Sequence, residues 1–512
     1  MPPRPGAVAE PAALILAALL IAGCGLCYQL ILATLATWLV GNGILQFSLT
    51  IGGFLAAMGV GAWASAQVND LPGVFRRSEL LLSLIGGHSA LLLLAAWAWT
   101  EDAWPVAFGG LLLVLGGLIG LELPLLLRWA RRYAALRQTV ARLFAADYLG
   151  ALLAGLAFPL LLLPLLGLVR TAFLVGLINW ATVLLTHLAF RERPGRGTTV
   201  ALVGSGLLLT AGLFYGGPAA DRIERALYAD PVVHASQSAY QRIVLTLRDG
   251  DLRLFLDGEL QFSSRDEYRY HEALIQPALA LAQSRQPDPE APLEVLVIGG
   301  GDGLGLRELL GQPGVGHVVL VDLDPAIVEL AREHAALRRL NAAALDDPRV
   351  EIVHEDGFRH VREQTRRYSL IVLDLPDPRS EGLARLYSRE FHGLLRQRLS
   401  PGGVLVTQAS SPLYVREAYW TVVATLEAAG FRTLPIHTSV PSFGPWGFVI
   451  ATPTEDPPPQ PVRLPAGLRS IEAEAWTRLS GFPPDMARIP SEISTLTRPT
   501  VWQVYDRAMR GG

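Results

Sequence analysis

The run Gly299-Gly300-Gly301-Asp302-Gly303-Leu304-Gly305 is the densest chemical signal in the chain. Glycines remove Cβ atoms where a ligand must approach the backbone, and Asp322, ending the following strand signal, lies where ribose hydroxyls bind in dinucleotide-type folds. Alone, this pattern serves nicotinamide enzymes and S-adenosylmethionine-type transferases alike, and structural turns also produce it. Further acids narrow the choice. Glu355-Asp356-Gly357 follows the next strand signal, and Asp374-Leu375-Pro376-Asp377 the one after that. A site for S-adenosylmethionine must accept the ligand's carboxylate, which Asp302 in the glycine turn would repel; a sulfonium and an aminopropyl ammonium would be attracted. A pocket ringed by Asp302, Asp322, Asp356, Asp374 and Asp377 suits a polycation. Helix caps and turns account for any one of these acids, but poorly for five at strand ends.

These acids need a parallel sheet to bring them together, and the pattern around them supplies one. Leu293–Ile298, Val318–Val321, Val350–Val353, Leu370–Leu373 and Gly403–Thr407 read as strands, alternating with helices such as Pro325–Leu337 and one near 415–428. Ligands bind at the carboxyl ends of such strands, where the acids collect. Upstream, residues 240–247 and 252–256 alternate around the turn Asp249-Gly250-Asp251, and Leu256-Asp257-Gly258 makes a second turn. A small β region therefore precedes the main domain.

The chain as a whole has 512 residues, 51% of them hydrophobic, two cysteines and a net charge of −3. Its apolar fraction excludes a disordered chain, its cysteine count a disulfide-built secreted domain, and its charge balance disfavours nucleic acid as a partner. All 43 basic residues are Arg, a coding bias without functional content. The two halves differ: residues 1–216 hold 12 Arg and 8 acids, residues 217–512 hold 31 Arg and 38 acids.

The first half reads as membrane-spanning. Stretches near 12–40, 44–66, 78–100, 103–127, 143–169, 171–190 and 198–216 are apolar enough to cross a bilayer, the last being the weakest. Glu122 and Asp147 lie within or beside these runs; Glu122 is expected to pair with Arg128, with a transport role as the alternative. Ile21-Ala22-Gly23-Cys24 imitates a lipoprotein cleavage box, but the apolar run continues to Val40, so the segment reads as a first spanning helix. Cys24 and Cys27 read as packing residues. Arg76/Arg77, the cluster Arg128, Arg131, Arg132, Arg137 and Arg142, and Arg191, Arg193 and Arg196 fall in alternate loops, which puts those loops and the N-terminus in the cytoplasm. Seven spans then place the soluble half outside; six keep it inside. The expected location is the cell's inner membrane, multi-pass, with the side of the soluble half left open.

The soluble half, over 240–450, resembles the spermidine synthase (polyamine aminopropyltransferase) family. The matching stretches are Tyr240–Ile243, Leu256–Gln261, Asp266-Glu267 with Tyr270-His271-Glu272, Gly299–Gly303, Asp322-Leu323-Asp324, Glu355–Gly357, Asp374–Asp377, Leu386-Tyr387-Ser388 and Pro441–Phe448. The first half resembles bacterial members that carry an N-terminal transmembrane domain. The resemblance implies aminopropyl transfer from decarboxylated S-adenosylmethionine, a co-substrate, to an amine such as putrescine, giving spermidine and methylthioadenosine, with no cofactor and no metal. It assigns donor contacts to Gln241, Gln261, His271, Asp302, Asp322 and Asp356, the base to Asp374, and amine orientation to Tyr270 and Asp377. Asp302 and His271 would hold the aminopropyl nitrogen, Asp322 the ribose, and Asp356 the adenine amino group.

Three departures bear on the acceptor: Gln276 where the family often has His, Phe443 where it has Tyr, and an apolar Leu375-Pro376. The fold expected is a polytopic α-helical membrane domain, 1–220, with six or seven helices. A small β-hairpin region (221–290), an α/β Rossmann-like catalytic domain (291–452), and a linker at Pro457-Pro458-Pro459 with a helical tail (453–512) follow. In that tail, helices are expected over Ile471–Leu479 and Val501–Met509, and no catalytic constellation is legible. The expected partners are a small polyamine and the lipid bilayer, with a homo-oligomer left open. The competing readings are an S-adenosylmethionine-dependent methyltransferase and a non-catalytic membrane polyamine sensor or transporter.

Overall fold

A computed structural model describes residues 9–40, 43–100, 103–131, 136–190, 194–456, 460, 462–472 and 476–510. Arg132, Arg191, Arg193 and the linker Pro457-Pro458-Pro459 lie outside the described residues. The chain divides into two units, Met1–Ala229 and Asp230–Gly512.

The first unit is helical: α1 (Ala9–Val40), α2 (Gly43–Ser65), α3 (Leu71–Trp99), α4 (Ala103–Ala130), α5 (Leu136–Ala157), α6 (Leu163–Ala189) and α7 (Arg196–Arg225). Among the described residues, six helices are long and apolar enough to cross a membrane, because α5 and α6 join through a π-helical turn into one 53-residue run, Arg137–Ala189. That run breaks at Gly167, whose φ of 69° and ψ of 174° are far from helical and favour glycine. Both limbs then lie along the same stretch of α1: Gly150 packs on Leu19, and Val175 O accepts from Cys24 Sγ at 3.7 Å. The run doubles back. The stretch 198–216, weakest by sequence, belongs to a 30-residue helix that follows α6, with Trp180 Nε1 donating to Leu202 O at 2.9 Å and Arg170 beside Gly217. The boundary expected at residue 220 falls inside α7, and Asp221–Arg225 forms its last turn.

The expected pairing of Glu122 with Arg128 is not made. Arg128 instead donates to Ser65 O at 2.6 Å and Val68 O at 2.7 Å, capping the end of α2. Glu122 lies beside Glu79 of α3, both buried between helices. Carboxyls inside an apolar bundle find one another because lipid offers no partner. Cys24 and Cys27 are free and buried.

The second unit opens with an antiparallel sheet, β1 (Val232–Gln237), β2 (Arg242–Arg248), β3 (Asp251–Leu256) and β4 (Glu259–Ser263), in that order. Asp249-Gly250 and Asp257-Gly258 all take positive φ, the two-residue turn that matches strand twist. The region expected as a small hairpin is thus four strands followed by a helix, α8 (Glu267–Arg285).

The main sheet contains β5 (Leu293–Gly299), β6 (Val315–Asp322), β7 (Val350–His354), β8 (Tyr368–Asp374), β9 (Leu399–Gln408), β10 (Phe431–Val440) and β11 (Gly444–Pro453). Their order is β10-β11-β9-β8-β5-β6-β7, parallel from β9 to β7 and antiparallel at β10 and β11. Val, Ile and Leu runs such as Val295–Ile298 are buried on both faces, one packed by α8 and the other by the helices 389–398 and 416–428. The chain goes from β5 to β6 and β7 on one side, then returns to β8 on the other. That reversal leaves a crevice at the carboxyl ends of β5 and β8.

The tail is less helical than expected: Trp476–Ser480 and Thr500–Arg510 are its helices among the described residues. It is fastened to the unit by Glu272, which accepts from Arg469 N at 2.6 Å and Ser470 N at 2.7 Å, and by Trp420 Nε1, which donates to Met486 O at 3.1 Å.

Candidate active site

Pairing of β5 with β8 sets Gly299 opposite Asp374, so the glycine turn and the expected base share one level of the sheet. Gly299 has φ 81°, and a Cβ there would strike the Asp374 carbonyl. One strand over, Asp322 at the end of β6 binds the same turn: Oδ2 accepts from Gly301 N at 2.9 Å, and Oδ1 from Asp324 N at 2.9 Å. Asp302 closes the turn ahead of a short helix, Oδ1 accepting from Leu304 N at 2.9 Å, while its carbonyl accepts from Asn341 Nδ2 at 2.9 Å.

These groups line a cavity of about 690 Å³ that also meets Gln241, Gln261, Tyr270, His271, Asp356 and Asp377. All nine residues singled out from sequence therefore face one space. Gln276 does not line it; its Nε2 donates to Glu308 Oε2 at 3.0 Å, so the departure at 276 lies off the cavity. Phe443 does line it, in ring contact with Trp446 at 5.3 Å between centroids.

Several of the nine are already engaged. Tyr270 Oη donates to Asp374 Oδ1 at 2.8 Å. Gln241 Nε2 donates to Asp324 Oδ2 at 2.9 Å, and Gln261 Nε2 to Glu259 O at 3.1 Å. Asp356 caps the next helix by accepting from Arg359 N at 3.0 Å, and its other oxygen is bridged to Arg385. A ligand amino group at Asp356 has to share that carboxylate with a guanidinium. Asp377 accepts from Ser410 Oγ at 2.6 Å and from Tyr505 Oη at 3.0 Å.

His271 Nδ1 is occupied by Glu267, at 2.8 Å from its carbonyl and 2.9 Å from Oε2. Burial disfavours charge on the ring, but the Glu267 hydrogen bond and charge outweigh it and lift His271 to about 9. Glu267 is buried too, and His271 with Arg307 holds it at about 2. The Glu267 pairing thus favours the protonated ring, a form with no lone pair for an ammonium. Beside it, burial pushes the Asp302 carboxyl up to about 6; the His271 charge opposes that rise and Asp374 adds to it. Burial raises Asp322 and Asp377 as well, with their hydrogen-bond donors moderating the effect. Buried carboxyls of this kind are costly to ionise alone and gain most from an incoming cation.

Sequence reasoning missed Tyr505 and Met509, which line the cavity from a tail in which no constellation was legible. It also missed Ser410, which holds Asp377, and Arg307, which donates to Glu267 Oε1 and Oε2 at 2.9 Å each. The spacing Val501, Tyr505, Met509 marks one face of a helix, but nothing local says which surface that face meets. Among the described residues no group of His, Cys, Asp and Glu could hold a metal ion.

Residues 267–459 match the family described as the spermine/spermidine synthase domain. Over 502 residues the chain is 43% identical to polyamine aminopropyltransferase 1 of Streptomyces coelicolor, covering 95% of this chain and 93% of that one. Over 511 residues it is 42% identical to polyamine aminopropyltransferase 2 of Ralstonia nicotianae, covering 98% of each. Among solved structures, a spermidine synthase in complex with the transition-state analogue AdoDATO is 27% identical and covers 49% of this chain and 85% of that chain, with a TM-score of 0.43.

Proposed function

The chain belongs to the polyamine aminopropyltransferase family, and from that premise we propose which of its residues do the work. The reaction is transfer of an aminopropyl group from decarboxylated S-adenosylmethionine to the amine of a polyamine acceptor such as putrescine, giving spermidine and methylthioadenosine. The observation that carries this reading is the convergence of Asp302, Asp322, Asp356, Asp374 and Asp377 on one cavity, with Asp302 inside the glycine turn.

Asp322 takes the ribose hydroxyls and Asp356 the adenine amino group, with Gln241 and Gln261 beside the donor. Asp302 alone is charged to hold the aminopropyl ammonium. His271, tied to Glu267, offsets the charge of Asp302 until the ligand arrives. The acceptor amine enters protonated and gains a lone pair only when a base takes its proton. Asp374 accepts that proton on the oxygen that Tyr270 leaves open. The nitrogen then attacks the aminopropyl carbon bonded to sulfur; the new N–C bond forms as the C–S bond breaks, and the sulfonium leaves as a neutral thioether. Orienting two cations against carboxylates supplies much of the acceleration.

The test is to incubate purified full-length protein with decarboxylated S-adenosylmethionine and a panel of amines. Methylthioadenosine release supports the reading. Consumption of S-adenosylmethionine with a methylated product supports a methyltransferase, and ligand binding without turnover supports a sensor.

The helical unit embeds the protein in the cell membrane as a multi-pass domain. The reversal at Gly167 and the full-length α7 support seven crossings. With seven, α7 ends on the face opposite the connections after α2, α4 and α6, beside which the arginines cluster.

A further inference from the structure

We propose that Tyr505, on the C-terminal helix Thr500–Arg510, is a positioning residue for the acceptor: by fixing Asp377 it sets how the far ammonium of a diamine is held. The inference rests on the aminopropyl-transfer reading and extends it to a segment outside residues 267–459, the stretch matched by the family.

Asp377 sits in the loop after β8, three residues beyond the base, half-buried in the cavity wall. Both of its oxygens are claimed, Oδ1 by Ser410 Oγ at 2.6 Å and Oδ2 by Tyr505 Oη at 3.0 Å. These donors, with the Gln408 amide, fix the plane of a carboxylate that lines the cavity. Without the tyrosine hydroxyl Oδ2 loses this donor, and the carboxylate is left to Ser410 and the Gln408 amide.

The helix that brings Tyr505 there is anchored independently of it. Val501 and Val504 are buried, Val504 against Val415 and Ala418. Ser494 N donates to Thr425 Oγ1 at 3.0 Å, and Arg507 lies 3.5 Å from Glu417. One turn beyond Tyr505, Met509 also lines the cavity, so one helix face supplies a polar group at Asp377 and an apolar one at the rim. This suits a ligand with an ammonium beyond a methylene chain. A second charge at the far end is what distinguishes a diamine from a monoamine.

The test uses full-length protein and whichever linear diamine the wild type turns over, alongside the monoamine of equal carbon count. For Tyr505→Phe, the diamine KM should rise about tenfold, as expected for loss of a hydrogen bond to a charged group. The monoamine KM, the donor dissociation constant and kcat at saturating diamine should each stay within about twofold, below what a lost hydrogen bond changes. Met509→Ala, which leaves the hydroxyl, should weaken long-chain acceptors and leave the preference for diamine over monoamine as in the wild type. In Tyr505→Phe an equal shift for diamine and monoamine, or none for either, overturns the inference. A wild type inert towards every amine instead overturns the reading on which it rests.

Discussion

Tyr270 Oη and Asp374 Oδ1 are joined at 2.8 Å although 104 residues separate them, one on α8 and the other ending β8. Burial, with Asp374 adding, keeps the Tyr270 hydroxyl protonated far above its ordinary range, so it is a permanent donor. One carboxylate oxygen is thereby occupied and oriented. The other, beside Gly300, faces the space where donor and acceptor must meet.

Asp374→Asn keeps the shape and the bond to Tyr270 but removes the proton acceptor. Turnover should fall on the order of a thousandfold, within the range for loss of a general base. Donor affinity measured by calorimetry should stay within about threefold, less than the tenfold that one lost charge-assisted contact costs. Loss of donor binding together with turnover would move Asp374 from chemistry to ligand binding.

Donor capture should fail in acid. Asp302 titrates near 6 in the free site, and only its ionised form attracts an ammonium. The donor kcat/KM should therefore fall as pH drops through about 6, and Asp302→Asn should erase that limb while lowering the plateau. A limb unchanged in the variant would assign it to another group.

The His271–Glu267 pair contributes to stability with a definite sign. His271 titrates at about 9 when folded and near its ordinary 6.5 when unfolded. Its contribution is complete below pH 6.5 and is lost as pH rises through 9. Thermal melting of His271→Gln in detergent should therefore be less pH-dependent than wild type between those values. Parallel melting curves across that window would contradict the assignment.

How much of this was readable in advance follows from where the information sits. The glycine turn, Asp322 and Asp374 are local signals, because strand ends and tight turns constrain residue types within a few positions. The strand ends of the main sheet, the small sheet and α8 together bring all nine expected residues to one cavity. What failed was long-range. Glu122 lies beside Glu79 rather than Arg128 because helix packing, which no window of sequence encodes, decides partners. His271 lines the cavity as expected, but the state of its ring depends on Glu267, whose other partner Arg307 is 40 residues away, which no local signal carries. Tyr505 reaches Asp377 across 128 residues.

Membrane topology yields a parity test. With seven crossings, a reporter fused after Gly512 and one inserted between α4 and α5 should report opposite sides of the membrane. Reports from the same side would mean an even number of crossings between them, and the reversal at Gly167 or the span of α7 would fail.

The most direct test of the central claim is calorimetric titration of the full-length protein with decarboxylated S-adenosylmethionine and, separately, with S-adenosylmethionine. A carboxylate brought against Asp302 costs several kcal/mol, so the decarboxylated compound should bind roughly a hundredfold tighter or more, and Asp302→Asn should narrow that gap. Equal affinity for the two compounds in the wild type would contradict the account.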